Sequence, residues 1–254
     1  MSGRFESKVV FVTGGTSGLG RDAVLAFARE GAKVAFTGRR EEAGKEVICA
    51  VRKERGEATF VRADCSVAAE IEAAVQACVD LYGGLDCAYN NAGIDGTLMT
   101  PIVDYKKEVW DQVIATNLTG TFLLMKQEIP QMIKRGGGSI VNMSAIAGLH
   151  SGRPGAAYNV SKHGIIALTT TAALEYGPQG VRVNAVCPAL IDTPMSARTF
   201  LKDEAARQRA ASMYPLGRVG TPEEVTSLVL WLCSREASFI TGTAIPIDGG
   251  FLLN

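Results

Sequence analysis

Tyr158 and Lys162 stand one helical turn apart in a stretch with helical patterning, so both side chains project from the same face. That pairing suits proton chemistry. A phenol titrates at about 10 and is a poor base at neutral pH, but an ammonium a few ångströms away favours the phenolate. The spacing Y-x-x-x-K alone arises by chance on many helices, so its neighbours decide its weight. Ser144 directly follows an apolar run, at the sheet edge where open α/β folds bind ligands, and a hydroxyl there can hold a substrate oxygen. Asn117 interrupts a long helical pattern with an amide, and a kink there can place a water near Lys162.

A second constellation is built for binding. A short β-branched run leads into Thr13-Gly14-Gly15-Thr16-Ser17-Gly18-Leu19-Gly20 and then into a helical pattern, the strand, glycine turn and helix order that a dinucleotide pyrophosphate requires. Glycines let the backbone approach the phosphates, and the helix N-terminus offers free N–H groups with a partial positive charge. Beyond the next strand the chain reads Thr37-Gly38-Arg39-Arg40, with no acid before Glu41. An acid at that strand end would bond the ribose of NAD, whereas Arg39 can meet a 2′-phosphate with paired donors and stack on adenine. The alternative is that Arg39 and Arg40 are a solvated pair flanking a helix start.

Repeated βα units must position these residues. Strands are predicted at residues 8–13, 33–37, 58–62, 85–89, 139–143, 181–187 and 244–247, and helices at 19–30, 41–55, 68–82, 107–135, 157–176 and 222–233. The alternation predicts an α/β, single-domain, doubly wound Rossmann fold over 1–254, with a seven-stranded parallel sheet flanked by helices on both faces. Gly31 and Gly83 stand where left-handed helix caps belong, and Thr221-Pro222-Glu223-Glu224 opens the last helix. The segment 188–220 has only a short charged helical patch at 202–209, and a connection that long is expected to be a substrate loop.

The T-G-x-x-x-G-x-G turn, together with Ser144, Tyr158 and Lys162 in order on the right elements, resembles the short-chain dehydrogenase/reductase family. Further matches span nearly the whole chain: Asn90-Asn91-Ala92-Gly93, Asp64-Cys65, the run from Pro188 to Met195, and Ile247-Asp248-Gly249-Gly250. Ala189 replaces the family's usual Gly. The resemblance implies a tetrad with Tyr158 as general acid/base, Lys162 lowering the Tyr158 pKa and holding the nicotinamide ribose, Ser144 orienting the substrate oxygen and Asn117 anchoring a relay water. It places Gly14, Thr16, Ser17, Gly18, Leu19 and Gly20 at the pyrophosphate, Asp64 and Cys65 at the adenine, and Asn91 and Gly93 at the ribose. Pro188, Ile191 and Thr193 fall beside the nicotinamide. Gly38 stands where NAD-preferring relatives usually carry Asp, so NADP(H) is the expected cofactor, with Arg39 and Arg40 at its 2′-phosphate and NAD(H) as the alternative. The tail implies a homotetramer.

The implied activity is hydride transfer between the nicotinamide and a carbonyl or secondary alcohol. One rival is a 3-oxoacyl-(acyl-carrier-protein) reductase, but such relatives usually carry Arg before the acid late in the Tyr-bearing helix, and Leu174 stands there before Glu175. Another is a dinucleotide-sensing protein without catalysis, which would need no matched Ser, Tyr and Lys. Extended-type epimerases and divergent enoyl reductases resemble the family but space their glycines or their Tyr and Lys differently.

The 254 residues are 47% hydrophobic and 20% charged, enough for a sizeable core. With 26 Lys+Arg against 26 Asp+Glu, the chain lacks the positive field of a nucleic-acid binder. Charges in the first eight residues and the lack of an apolar run near ~20 residues predict a cytoplasmic protein without a membrane anchor. Cys49, Cys65, Cys78, Cys87, Cys187 and Cys233 form no C-x-x-C pair, and with only His150 and His163 no metal site is expected. Specificity is expected from 94–97, 145–153 and 188–220, where Ile146, Leu149, Met195, Phe200, Met213 and Tyr214 suggest an apolar pocket.

Overall fold

The structure, a computed structural model, describes residues 3–152 and 155–253. Arg153, at the end of one expected specificity segment, and the first two residues of the N-terminal reading lie outside the described residues.

β-branched and aromatic runs form the strands β1 (Val9–Val12), β2 (Lys33–Gly38), β3 (Glu57–Arg62), β4 (Cys87–Asn90), β5 (Gly138–Met143), β6 (Val181–Pro188) and β7 (Ala244–Ile247). They lie in one parallel sheet, order β3-β2-β1-β4-β5-β6-β7. The order reverses between β1 and β4, so the crevice at their carboxyl ends is where an open α/β sheet binds its ligand. Because side chains alternate, β1 sends Val10 and Val12 to one face and Val9 and Phe11 to the other. The first face packs beneath α1 (Gly18–Arg29), α2 (Glu41–Lys53) and, later in the chain, a helix at Pro222–Cys233, through Phe27, Val47 and Val229. On the opposite face lie α3 (Ala68–Tyr82) and two helices that carry the polar site residues, through Ile71, Leu124 and Ala172. Burying each of the Phe, Val, Ile and Leu side chains among them contributes roughly 1.5–3 kcal/mol.

The predicted helix 107–135 is three pieces: α4 (Lys107–Val113), a π-helical segment (Ile114–Thr119) and α5 (Gly120–Lys134). Asn117 lies within the π-helical segment, so the polar interruption in the sequence corresponds to a widened turn rather than a simple kink. α6 (Ala156–Tyr176) carries Tyr158 and Lys162. Between β6 and the last helix stand α7 (Pro194–Ala197), which periodicity did not reveal, and α8 (Glu204–Ala211), which begins two residues later than expected because Asp203 caps it through Ala206 N at 2.7 Å. α9 (Pro222–Cys233) starts with the expected reciprocal cap, Thr221 N donating to Glu224 at 2.9 Å. Gly31 (φ +87°) and Gly83 (φ +80°) take the left-handed conformations expected of them.

Candidate active site

The turn after β1 is shaped for close approach. Gly14 and Gly18 have φ of +67° and +53°, and a Cβ at Gly20 would lie 2.3 Å from the Gly14 carbonyl oxygen. Ser17 begins α1 without a side-chain cap, and the first turn carries no acid, so its N–H groups and dipole present positive potential outward. Leu19 packs into the core beneath, while Thr16 stands on the outer side facing Gly38. Asn91 fastens the turn to the end of β4, its amide donating to Thr13 O at 3.0 Å. The open amides and the glycine cradle fit a pyrophosphate.

At the end of β2 a Cβ on Gly38 would lie 2.6 Å from Thr16 Cγ2, so the Thr16 side chain occupies the space an acid there would need. Arg39 is exposed, and its Nη1 lies 3.8 Å from Asp64 Oδ2. Asp64 also accepts from Ser66 N and Oγ at 2.9 and 2.7 Å. The Cys65 side chain turns into the core, and burial pushes its thiol up to about 12. Only Asp64 of the Asp64-Cys65 pair therefore offers a side chain at this edge. Arg40 precedes α2 and is exposed.

Tyr158 and Lys162 meet as their spacing predicts, with Lys162 Nζ 5.4 Å from the Tyr158 ring centroid. Lys162 is 3% exposed and donates to Met143 O at 2.8 Å, which ties α6 to the end of β5. Burial lowers its ammonium to about 8, against the opposing pull of Asp95 and Cys187. The phenol departs from expectation in direction: burial raises Tyr158 well above its usual value, and the Asp95 carboxylate adds to the rise. Both causes raise the phenol, while the Lys162 ammonium donates to the Met143 carbonyl.

Two further expectations change in detail. Ser144 is 1% exposed, and its Oγ donates to Lys162 O at 2.8 Å, so its proton is committed to the backbone of α6. Gly148 permits this approach, since a Cβ there would lie 2.4 Å from Ser144 Oγ. The buried Asn117 accepts from Ile94 N at 2.9 Å and donates to Ile94 O at 3.0 Å and to Ser161 Oγ at 3.2 Å. Its side chain therefore staples the loop after β4 to α6. Gly93 completes the cluster, for a Cβ there would lie 3.3 Å from Asn117 Oδ1 and 3.7 Å from Lys162 Nζ.

Beyond Pro188, at the end of β6, Ile191 is buried and bridges to Gly220, and Thr193 caps α7 through Ser196. Thr193 reaches over the glycine turn, with its Cβ 3.7 Å from where a Cβ on Gly18 would stand. A carboxylate that motif reasoning missed also belongs here: Asp95 lies within Coulombic range of Tyr158, Lys162 and Arg198. Among the described residues, no cluster of His, Cys, Asp and Glu could hold a metal, and no helix is long and apolar enough to cross a membrane.

A family model described as enoyl-(acyl carrier protein) reductase matches residues 14–252, and relatives named as dehydrogenases or reductases align over almost the full chain. The chain belongs to the short-chain dehydrogenase/reductase family. Cyclohexanol dehydrogenase of Acinetobacter sp. strain SE19 is 37% identical over 251 residues, covering 99% of this chain and 97% of that protein. The 3-oxoacyl-[acyl-carrier-protein] reductase of Thermotoga maritima is 40% identical over 255 residues, covering 98% and 100%. The crystal structure of levodione reductase superposes with a TM-score of 0.93 at 34% identity, over 97% of this chain and 98% of that one. This short-chain dehydrogenase/reductase is an alcohol dehydrogenase or ketone reductase, and the family's cofactor is a nicotinamide dinucleotide.

Proposed function

We propose that this chain is an NADP(H)-dependent enzyme that interconverts a cyclic secondary alcohol and its ketone, with Tyr158 as general acid/base. The observation that carries the reading is the buried Lys162 beside Tyr158, Asn117 and Gly93, next to a turn suited to pyrophosphate. When bound, the nicotinamide supplies hydride exchange at the carbon bearing the oxygen. Tyr158 gives or takes the oxygen-bound proton. Its phenol carries the proton at neutral pH and so is in the form that donates to a developing alkoxide, while the burial that raises it makes the phenolate the stronger base in the reverse direction. Lys162 holds the ribose hydroxyls and supplies positive charge when Tyr158 must act as base, and Ile191 and Thr193 border the carboxamide.

Ser144 holds the backbone of Lys162 in place, and Asn117 sets the loop that carries Gly93, with a water on its π-helical turn as the relay. Gly14, Ser17, Gly18 and Gly20 cradle the phosphates. Arg39 and Arg40 would meet the 2′-phosphate, while Thr16 fills the place of a ribose-binding acid. The cyclic substrate class follows cyclohexanol dehydrogenase and the 2,5-dichloro-2,5-cyclohexadiene-1,4-diol dehydrogenases among the relatives. Segment 188–220 serves as the substrate loop of a single domain. Leu174, 82% exposed where a carrier-protein reductase usually has Arg, argues against the acyl-carrier substrate despite the Thermotoga relative.

An apolar groove along α5 and α6, lined by Leu118, Phe122, Gly164 and Leu168, supports a contact between subunits, and the homotetramer itself follows from the family resemblance of the tail. Six free thiols suit a reducing compartment such as the cytoplasm. The test of the cofactor is a fluorescence titration of NADPH and NADH on wild type and Arg39→Ala. The reading expects tighter NADPH binding that Arg39→Ala abolishes; tighter NADH binding, indifferent to Arg39, overturns it.

A further inference from the structure

Asp95 is held on a short loop with an anchor on either side. Before it, Asn117 bonds both the N–H and the carbonyl of Ile94, at 2.9 and 3.0 Å. After it, Thr97 N donates to Tyr105 Oη at 3.3 Å. The loop also presses on the start of α6, where a Cβ on Gly155 would lie 2.9 Å from Thr97 O. These anchors fix the backbone that carries the loop's one charged side chain. That side chain is half-buried and within Coulombic range of Tyr158 and Lys162, yet among the described residues its carboxylate makes no hydrogen bond or ion pair.

A partly desolvated carboxylate without a donor is costly unless the ligand supplies one. Burial raises the Asp95 carboxyl above its ordinary value, and two cations, Lys162 and Arg198, pull against that rise. They would repel an ammonium group on the substrate, so a neutral donor fits, and on an alcohol substrate that donor is a hydroxyl. We propose that Asp95 accepts a hydrogen bond from a second hydroxyl of the substrate while Tyr158 serves the reacting carbinol, so that the enzyme prefers diols or hydroxyketones to simple alcohols. The inference rests on the hydride-transfer reading and names its substrate class more closely.

The test compares kcat/KM for cyclohexanol, cyclohexane-1,2-diol and cyclohexane-1,4-diol in wild type, Asp95→Asn and Asp95→Ala. Wild type is expected to favour at least one diol, and Asp95→Ala to lower that diol-to-alcohol ratio about tenfold or more, because a charged acceptor is lost. Asp95→Asn, which keeps an oxygen but not the charge, should fall between. A second readout is the dissociation constant of the same diol from Tyr158→Phe loaded with oxidised cofactor, which should rise about tenfold when Asp95→Ala is added. An unchanged ratio, or an equal loss on all three substrates, overturns the inference while leaving the hydride-transfer reading intact. Failure of wild type to oxidise any of the three with either nicotinamide dinucleotide counts first against that reading, and the unaltered diol affinity of Tyr158→Phe on adding Asp95→Ala would overturn the inference separately.

Discussion

The Ser144 hydroxyl donates to the main-chain carbonyl of Lys162 at 2.8 Å, and Lys162 in turn donates from Nζ to Met143 O at 2.8 Å. Two adjacent residues at the end of β5 thus grip one residue of α6, by its backbone and by its side chain. The position of the ammonium relative to Tyr158 is therefore set by the sheet.

Ser144→Ala should destabilise the fold as well as slow turnover. Removing the hydroxyl takes away one of the donors to a buried helical carbonyl, at a cost of about 1 kcal/mol. For a chain of this length each kcal/mol lowers Tm by roughly 2–4 °C. Differential scanning calorimetry should show Tm falling by at least about 2 °C; an unchanged Tm with activity lost would return Ser144 to a purely substrate-binding role.

Gly38→Asp alone should bind both cofactors poorly, because its Cβ meets Thr16 Cγ2 at 2.6 Å. Combined with Thr16→Ala, the acid gains room to bond a ribose and to repel a 2′-phosphate. The NADPH-to-NADH affinity ratio of the double variant should fall below that of wild type by tenfold or more, about 1.4 kcal/mol, in a fluorescence titration. Retention of the wild-type ratio would show that this strand end does not select the cofactor.

Much of this is legible in the sequence. β-branched runs separated by capped amphipathic stretches define the parallel sheet, and the glycine turn and Y-x-x-x-K pair need only local geometry to be recognised. What escaped depends on direction. Ser144 leaves β5 in a sequence that cannot say whether it faces substrate or α6, and the outcome hangs on Gly148 allowing contact with a carbonyl. The Tyr158 phenol is raised rather than lowered, because burial and the Asp95 carboxylate act on it and neither is written in the Y-x-x-x-K spacing. Asp95 sits in an irregular loop expected to set specificity, but the backbone that carries it is held by Asn117 and Tyr105, contacts that no local pattern reveals.

Glu128 makes stability depend on pH. Its carboxyl is fully buried, accepts from Asn90 Nδ2 at 3.0 Å, and is raised by burial to about 8. A raised folded-state value means that the native state binds the proton more tightly, so the contribution is complete below about 4.5 and is lost as pH rises through about 8. Urea denaturation of wild type and Glu128→Gln at pH 5 to 9 should show wild type losing stability relative to the variant as pH rises. A constant difference would place the carboxylate in a better-solvated setting than the structure gives it.

Phe122, 48% exposed on α5 within the apolar groove, should lie in a subunit contact. Light scattering should give four times the 26.9 kDa chain mass for wild type and a smaller species for Phe122→Asp. A monomeric wild type would contradict the tetramer.

The most direct test of the account is single-turnover cofactor oxidation by Tyr158→Phe with a cyclic ketone, alongside NADPH affinity. Loss of the phenolic proton should slow the chemical step by about 10²–10⁴-fold while cofactor affinity stays within a few-fold of wild type. Full turnover by Tyr158→Phe would contradict the assignment of Tyr158 as the proton donor and the mechanism built on it.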